Sequence, residues 1–156
     1  MGLCSKSKLS KIENNLLQPS IALAETLLQR LGINERIFTF LGNEREQKLH
    51  DLKYLLLHSV RMRNRYHNSD LQKYKELLTD DDTLYFQFYL EETAYSKQNH
   101  KEKLQLLFQA LSLTLPDFDI FHISKYRLSY MELTILNSIS LEYIYTNESY
   151  KSSILC

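Results

Sequence analysis

Glycine and proline are nearly missing from the body of this chain. Residues 43–115 contain neither, and the 156-residue chain holds only 3 glycines and 2 prolines. Tight turns and strand connections depend on these two residues, so a chain that lacks them has few turns. The sequence therefore predicts an all-α protein built from antiparallel helices. Its length fits one domain, or one domain with part of another.

Apolar residues recur at helical spacing in the first part of the chain, and they predict three short helices. The first runs from Lys6 to about residue 14, and the third covers residues 35–41. The second has Pro19 in its first turn and ends at Gly32 in a left-handed conformation. The expected inner faces are Leu9, Ile12 and Leu16 in the first helix and Leu23, Leu27, Leu28 and Leu31 in the second.

The rest of the chain predicts longer helices. Residues 84–90 are rich in aromatic residues, which suits a buried strand as well, but the three aspartates before them favour a helix N-terminus. Ser129 and Glu132 form a capping box that opens a helix to about residue 145, and a further helix starts at Asn147. The expected inner faces are Leu49, Leu52, Leu56 and Val60; Leu71, Tyr74 and Leu78; Leu104, Leu107, Phe108 and Leu111; and Leu136, Ile139, Ser140 and Tyr143.

The zero net charge conceals an asymmetry along the sequence. Residues 1–77 carry 13 basic and 8 acidic residues, whereas residues 78–156 carry 6 basic and 11 acidic ones. A basic amino-terminal half suits a polyanionic partner, although chance clustering accounts for it equally well.

No pattern for catalysis, metal binding or cofactor binding stands out. The five histidines lack metal-ligand spacing, and no glycine-rich phosphate loop is present. Asp80, Asp82 and Glu91 superficially match a calcium loop, but Tyr85 occupies the position where that loop needs glycine. We therefore expect no enzymatic activity, no cofactor and no metal.

The positions of the cysteines and the hydropathy of the chain indicate in which cellular compartment the protein resides. Cys4 and Cys156 lie near opposite ends and form no disulfide framework. No apolar run is long enough for a membrane span, and no signal peptide is evident. We expect a cytoplasmic protein. Gly2 and Cys4 also allow a two-signal lipid anchor beside Lys6 and Lys8, although Lys6 stands where a myristoylation site prefers Ser or Thr.

Before Glu13, the first predicted helix carries only small hydroxyls and lysines outside its apolar stripe. Such a helix fits the major groove of DNA, because Ser and Lys side chains reach base edges and phosphates. From composition alone, a solvated surface helix is the simpler interpretation.

A family resemblance favours the DNA interpretation. Ser7-Lys8-Leu9-Ser10-Lys11-Ile12-Glu13-Asn14, Pro19-Ser20 and Leu27-Leu28-Gln29-Arg30-Leu31-Gly32-Ile33 resemble the second half of a lambda-repressor-like helix-turn-helix of the Cro/XRE type. The resemblance implies that Lys6, Ser7 and Lys11 face base edges. It also implies that Ser5 and Asn14 face phosphates, that Lys8 adds charge, and that Glu13 is structural.

The carboxyl-terminal side is similar to Rgg/MutR-like regulators. The similarity rests on Leu113-Thr114-Leu115-Pro116-Asp117-Phe118-Asp119, Tyr126-Arg127-Leu128-Ser129 and Glu132-Leu133-Thr134-Ile135-Leu136-Asn137-Ser138-Ile139. That family joins a Cro-type domain to tetratricopeptide-like helical pairs, many members bind short signalling peptides there, and they usually dimerise. The resemblance implies peptide contacts from Thr134 and Asn137. Asn137 serves equally well as a partner for a neighbouring helix or loop carbonyl.

The resemblance divides the chain into residues 1–42, a partial helix-turn-helix domain, and residues 43–156, an incomplete helical-repeat region. The family's first two helices have no counterpart here, so we expect a chain truncated at both ends. The expected function is sequence-specific DNA binding by a transcription regulator, with an operator and a signalling peptide as partners of an intact homodimer. The alternative is a helical protein-interaction module without DNA binding, with a lipid anchor at its N-terminus.

Overall fold

The computed structural model describes residues 3–35, 42–61 and 68–154. Within these ranges the chain forms seven α-helices and one 3-10 helix, and it contains no strand. The prediction of an all-α protein is therefore confirmed. The helices are α1 (Lys6–Glu13), α2 (Ile21–Arg30), α3 (Glu44–Arg61), α4 (Asn68–Leu77), α5 (Thr83–Tyr95), α6 (His100–Ser112), the 3-10 helix (Ile120–Lys125) and α7 (Tyr130–Ile154).

Helix α2 begins two residues later than the sequence predicts. Ser20 takes the N-cap position, where its hydroxyl accepts a hydrogen bond from the Leu23 N–H at 3.3 Å. Pro19 therefore lies before the helix rather than in its first turn, because a Ser hydroxyl satisfies a helix N-terminus that proline cannot. The end at Gly32 is as predicted: its φ is +73°, and the Ile33 N–H bonds to the Leu28 carbonyl. This pattern is a Schellman motif.

Helices α2 to α5 enclose one of two apolar clusters. Its buried members are Ala22, Leu49, Leu56, Tyr74, Tyr85 and Phe88. Arg45, near the start of α3, donates to the carbonyl of Leu77 at the end of α4, so these two helices are antiparallel. Asp82, which also binds Arg45, holds the start of α5 against the same pair.

Helices α5, α6 and α7 pack side by side around the second cluster, which includes Leu90, Leu107, Leu111, Ile135 and Ile139. Gln87 in the first half of α5 donates to the Ala110 carbonyl and to Thr114, beyond the end of α6. The α5–α6 pair is therefore antiparallel. His100 and Lys103 at the start of α6 bind Glu142, far along α7, which makes α6 and α7 antiparallel as well.

Helix α7 is longer than the sequence predicts. We expected it to end near residue 145, with a separate helix from Asn147, but one helix runs from Tyr130 to Ile154. The expected break was wrong because asparagine only mildly disfavours a helix interior, and neither Gly nor Pro follows Pro116 to end the helix.

Several side chains expected on inner faces are exposed. They are Leu16, Leu31, Phe108, Ser140 and Tyr143, whereas Ile21, Ala22, Glu25, Glu132 and Ser138 are buried instead. The periodicity of apolar residues identifies a helix, but the neighbouring helices decide which of its faces is buried. A polar side chain can be buried there if it forms a hydrogen bond. Residues 36–41 of the expected third helix and the side chain of Val60 lie outside the described part of the chain.

Candidate nucleic-acid interface

Both ends of helix α1 are capped by hydrogen bonds among its own and its flanking residues. The Ser5 hydroxyl accepts a hydrogen bond from the Lys8 N–H at 3.1 Å, and Ser5 itself is extended, as an N-cap residue is. At the other end Asn15 has φ +57°, and the Leu16 N–H bonds to the Lys11 carbonyl at 2.8 Å. The helix therefore ends in the same motif as α2, with asparagine in place of glycine. No cap was expected at Asn15 from the sequence.

The outward face of α1 is basic. Lys6, Lys8 and Lys11 are exposed, and within the described residues none of the three pairs with a carboxylate. Leu9 and Ile12 are half-buried, as their spacing predicts, although no residue of α1 is fully buried. The first turn holds no acidic residue, so Lys6 and Lys8 lie beside an uncompensated positive helix end, whereas Lys11 lies in the last turn.

The three other predicted DNA-contacting residues lie along the same short helix. Ser7 is exposed in its first turn. The Ser5 hydroxyl accepts the Lys8 N–H in the N-terminal cap, and its own hydrogen can still be donated to another group. Asn14 donates from its amide to the Ser10 carbonyl at 2.8 Å and to the Ser10 hydroxyl at 3.4 Å, so a contact with a phosphate requires one of these two bonds to open. All six candidate residues of the amino-terminal site are therefore exposed in or next to one short helix.

The two predicted peptide-contacting residues lie on α7. Asn137 is exposed, and Thr134, one turn earlier, is half-buried and donates from its hydroxyl to the Tyr130 carbonyl at 2.9 Å. The two sets of candidate residues are therefore on different helices.

A buried ion pair connects α2 to α7. Arg30, the last residue of α2, binds Glu132 in the first turn of α7. The side chain of Glu132 is 0% exposed. Beside it, the side-chain oxygen of Gln29 accepts the Tyr130 N–H at 3.0 Å, so α2 caps the start of α7. The capping box predicted at Ser129 is confirmed, since its backbone N–H donates to Glu132 at 2.7 Å.

The environment of Glu132 keeps it charged. Burial alone raises the pKa of a carboxyl, but hydrogen bonds from Arg30 and from the Ser129 N–H outweigh it, so the pKa of Glu132 lies below its ordinary value. The sequence offered no signal for the Arg30 contact, because the two residues are far apart along the chain.

A second buried acid links α2 to α3. Glu25 contacts His50 at 3.1 Å and Lys53 at 3.7 Å. Burial raises the pKa of Glu25, but these two partners lower it further than burial raises it, so the group stays ionised.

Two clefts lie on the surface formed by the described residues. The larger, about 640 Å³, is lined by Gln98, Asn99, His100, Lys101, Leu104 and Thr146. The other, about 400 Å³, lies between the segment before α2 and the start of α3. Within residues 3–35, 42–61 and 68–154, no three His, Cys, Asp or Glu side chains are arranged to hold a metal ion.

Fold and surface together define an all-helical protein with one short basic helix at its amino-terminal side. In the part of the chain that the structure describes, no helix combines the length and apolar character needed to cross a bilayer. No protein-family profile, curated protein or solved structure matches this chain.

Proposed function

We propose that this protein is a DNA-binding transcription regulator of the XRE type and that α1 is its DNA-reading helix. The observation that carries the proposal is the exposed face of α1, where Lys6, Lys8 and Lys11 lie free of acidic partners in the described chain. Leu9 and Ile12 are half-buried, and in this proposal DNA approaches from the opposite side of the helix, where Ser7 and Lys11 are exposed.

The chemistry of the face suits a duplex. An α-helix with its side chains is about 10–12 Å wide, and the major groove is about 12 Å wide, so one helix enters the groove. Lys6, Ser7 and Lys11 then reach base edges, where lysine donates to guanine. Ser5, Lys8 and Asn14 donate to phosphates and set the orientation of the helix.

The helical stack after residue 43 supplies regulation in this proposal. A short signalling peptide binds beside Thr134 and Asn137, whose exposed amide both donates and accepts and therefore matches a peptide backbone. The working form is a cytoplasmic homodimer that binds an operator, with no enzymatic activity. The stack is then a tetratricopeptide-like repeat region, and residues 1–42 belong to the helix-turn-helix part.

The test is selection of DNA from a pool of random duplexes. Wild-type protein is expected to enrich a defined sequence, and Lys6→Ala/Lys11→Ala is expected to lose that enrichment. Lys101→Ala/Lys125→Ala is the matched control, because both of these lysines are exposed and lie outside α1. Equal enrichment by all three proteins contradicts the role of α1, and no enrichment by wild-type protein contradicts sequence-specific binding.

A second candidate function has one observation of its own. Ile120, Phe121 and Ile123 are exposed side by side in the 3-10 helix, and Phe121 is 90% exposed. Exposed apolar clusters mark protein–protein contacts, so a helical interaction module without DNA binding is the alternative. Its lipid-anchored form is tested by intact mass: a myristoyl group on Gly2 supports it, and an unmodified N-terminus contradicts it. Gly2 itself lies outside the described residues.

A further inference from the structure

The outer face of α7 is apolar over residues 130–146, all of which the structure describes. Five exposed side chains recur there every three or four positions and therefore share one side of the helix. They are Tyr130, Leu133, Asn137, Leu141 and Ile144. The two charged residues of this stretch, Glu132 and Glu142, form ion pairs with basic residues of α2 and α6 on the inner side. The outer face of this stretch therefore carries no charge.

An uncharged face is unusual for a helix surface that meets water, which ordinarily carries charged side chains. Helix α6, for example, exposes Lys101 and Glu102 at its start. On α7, in contrast, Leu133 is 51% exposed and Ile144 is 52% exposed. A contiguous apolar surface of this kind marks a contact with another molecule.

The sequence of the outer face is symmetric about Asn137. Leu133 and Leu141 lie four positions before and after it, and Tyr130 and Ile144 lie seven positions before and after it. A twofold axis through Asn137 therefore places each leucine opposite a leucine, and each tyrosine opposite an isoleucine, in an antiparallel second copy. Such self-complementarity is what a twofold interface requires. Because an unrelated partner has no need of this symmetry, the symmetry identifies a second copy of this chain as the occupant.

The polar side chains of the face fit the same arrangement. Thr134 and Ser140 lie three positions before and after Asn137, and their hydroxyls donate to carbonyls of their own helix at 2.9 Å. Burial of these hydroxyls therefore leaves no donor unpaired. Asn137 has no hydrogen-bond partner in the described part of the chain. Two Asn137 amides that meet on the axis can each donate to the other's oxygen, and a buried asparagine of this kind fixes the register of paired helices.

We propose that the outer face of α7 is the interface of an antiparallel homodimer, with Asn137 on its twofold axis. Leu133 of one copy packs on Leu141 of the other, and Tyr130 packs on Ile144. The inference rests on the homodimer of the proposed function and names its contact face, whereas DNA binding by α1 is not part of it.

The interface covers the proposed peptide contacts. Thr134 and Asn137 lie at its centre, so a bound peptide and the second copy exclude each other. A dimer reads two operator half-sites, and a monomer reads one. Peptide binding therefore weakens operator binding in this proposal, because it separates the two copies.

Sedimentation equilibrium of the full chain without DNA tests the interface. Wild-type protein is expected to form dimers as its concentration rises. Leu133→Glu is expected to raise the dissociation constant at least about tenfold, because it buries a carboxylate against a leucine. Leu133→Lys/Leu141→Glu is expected to restore the dimer, since the introduced lysine then meets the introduced glutamate of the other copy. Within one copy the two positions are about 12 Å apart along the helix and do not pair.

Three results overturn the proposal: a wild-type protein that stays monomeric, Leu133→Glu that dimerises like wild-type protein, or Leu133→Lys/Leu141→Glu that does not regain the dimer. Lys6→Ala/Lys11→Ala is expected to dimerise like wild-type protein, because both lysines lie on α1. Loss of DNA binding and loss of the dimer are therefore seen separately. Circular dichroism of the leucine variants is expected to match that of wild-type protein, because both leucines are exposed.

Disulfide trapping tests the symmetry without placing a charge on the face. In a Cys4→Ser/Cys156→Ser background, Asn137→Cys is expected to form a cross-linked dimer under mild oxidation, because the two copies of this position meet on the axis. Tyr130→Cys is the matched control: its two copies are about 21 Å apart along the helices, beyond the reach of a disulfide. Absence of the Asn137→Cys dimer, or equal cross-linking of both variants, overturns the antiparallel interface.

Discussion

Arg30 and Glu132 are 102 positions apart in the sequence, yet they form a buried ion pair that holds the end of α2 against the start of α7. The side chain of Arg30 is 14% exposed and that of Glu132 is 0% exposed. The pair joins the amino-terminal helices, which carry the proposed DNA contacts, to the helix that carries the proposed peptide contacts.

Removing one partner of this pair leaves an unpaired buried charge. We expect Arg30→Met to lower the free energy of unfolding by about 3–5 kcal/mol, the usual effect of breaking a buried ion pair from one side. Chemical denaturation at neutral pH measures it. The double variant Arg30→Met/Glu132→Gln should recover part of the loss, and a double variant no better than Arg30→Met would show that the charge of Glu132 is not the cause.

An exposed ion pair provides the control. Lys48 and Glu44 are 2.7 Å apart at the start of α3 and are largely exposed. We expect Lys48→Met to leave the free energy of unfolding nearly unchanged, because solvent screens such pairs. Similar losses for Lys48→Met and Arg30→Met would contradict the importance of burial.

The end of α2 depends on a left-handed residue. Gly32 has φ +73°, and a Cβ built there meets no atom within 4 Å, so backbone strain alone decides the effect of a substitution. We expect Gly32→Ala to cost about 1–2 kcal/mol in thermal or urea unfolding. Gly32→Asn should cost less, because asparagine tolerates this conformation, as Asn15 does at the end of α1. Equal stability of Gly32→Ala and wild-type protein would contradict the assigned cap.

The protein is expected to lose stability in acid. Partners hold the pKa values of Glu25, Asp82, Glu132 and Glu142 below their ordinary values, despite burial. Each group therefore contributes stability above its unfolded-state pKa, and that contribution disappears as pH falls through its folded-state pKa. Unfolding followed from about pH 5 downward should show a falling midpoint. Glu25→Gln should flatten this fall, whereas the exposed Glu76→Gln should not; the same acid slope in all three proteins would contradict the assignment.

The proposed peptide site makes a prediction that separates binding from stability. Asn137 is exposed on α7 and has no structural partner in the described part of the chain. We expect Asn137→Ala to leave the unfolding midpoint unchanged and to abolish enrichment of peptides from a random peptide library. Ser140→Ala, a change one turn away on the same helix, serves as the control. Enrichment by Asn137→Ala equal to that by wild-type protein would remove Asn137 from the site.

The sequence predicted the parts of the fold that local chemistry decides. The aromatic stretch in α5 is a helix as expected, and Gly32 and Ser129 terminate or open helices where their chemistry requires it. Such features depend on residues within one turn of each other, so the sequence alone contains the information.

The sequence predicted the buried faces only in part, and it did not predict which acids pair. Leu31 and Phe108 were expected inside and are exposed, while Glu25, Glu91 and Glu132 are buried. Burial of a carboxylate is favourable only beside a particular partner, and Arg30 reaches Glu132 only after α2 and α7 have packed together. The periodicity of apolar residues contains no information about such a long-range contact. The candidate DNA residues, in contrast, came from a resemblance, and their role stays a prediction.

The salt dependence of DNA binding tests the central claim most directly. Binding of a duplex to wild-type protein should weaken linearly on a plot of log K against log salt concentration. Lys8→Ala should reduce the slope by about 0.9, because Lys8 is the lysine assigned to a phosphate. A slope that remains unchanged in this variant, or that falls equally in Lys101→Ala/Lys125→Ala, would contradict the assignment of α1 as the DNA-reading helix.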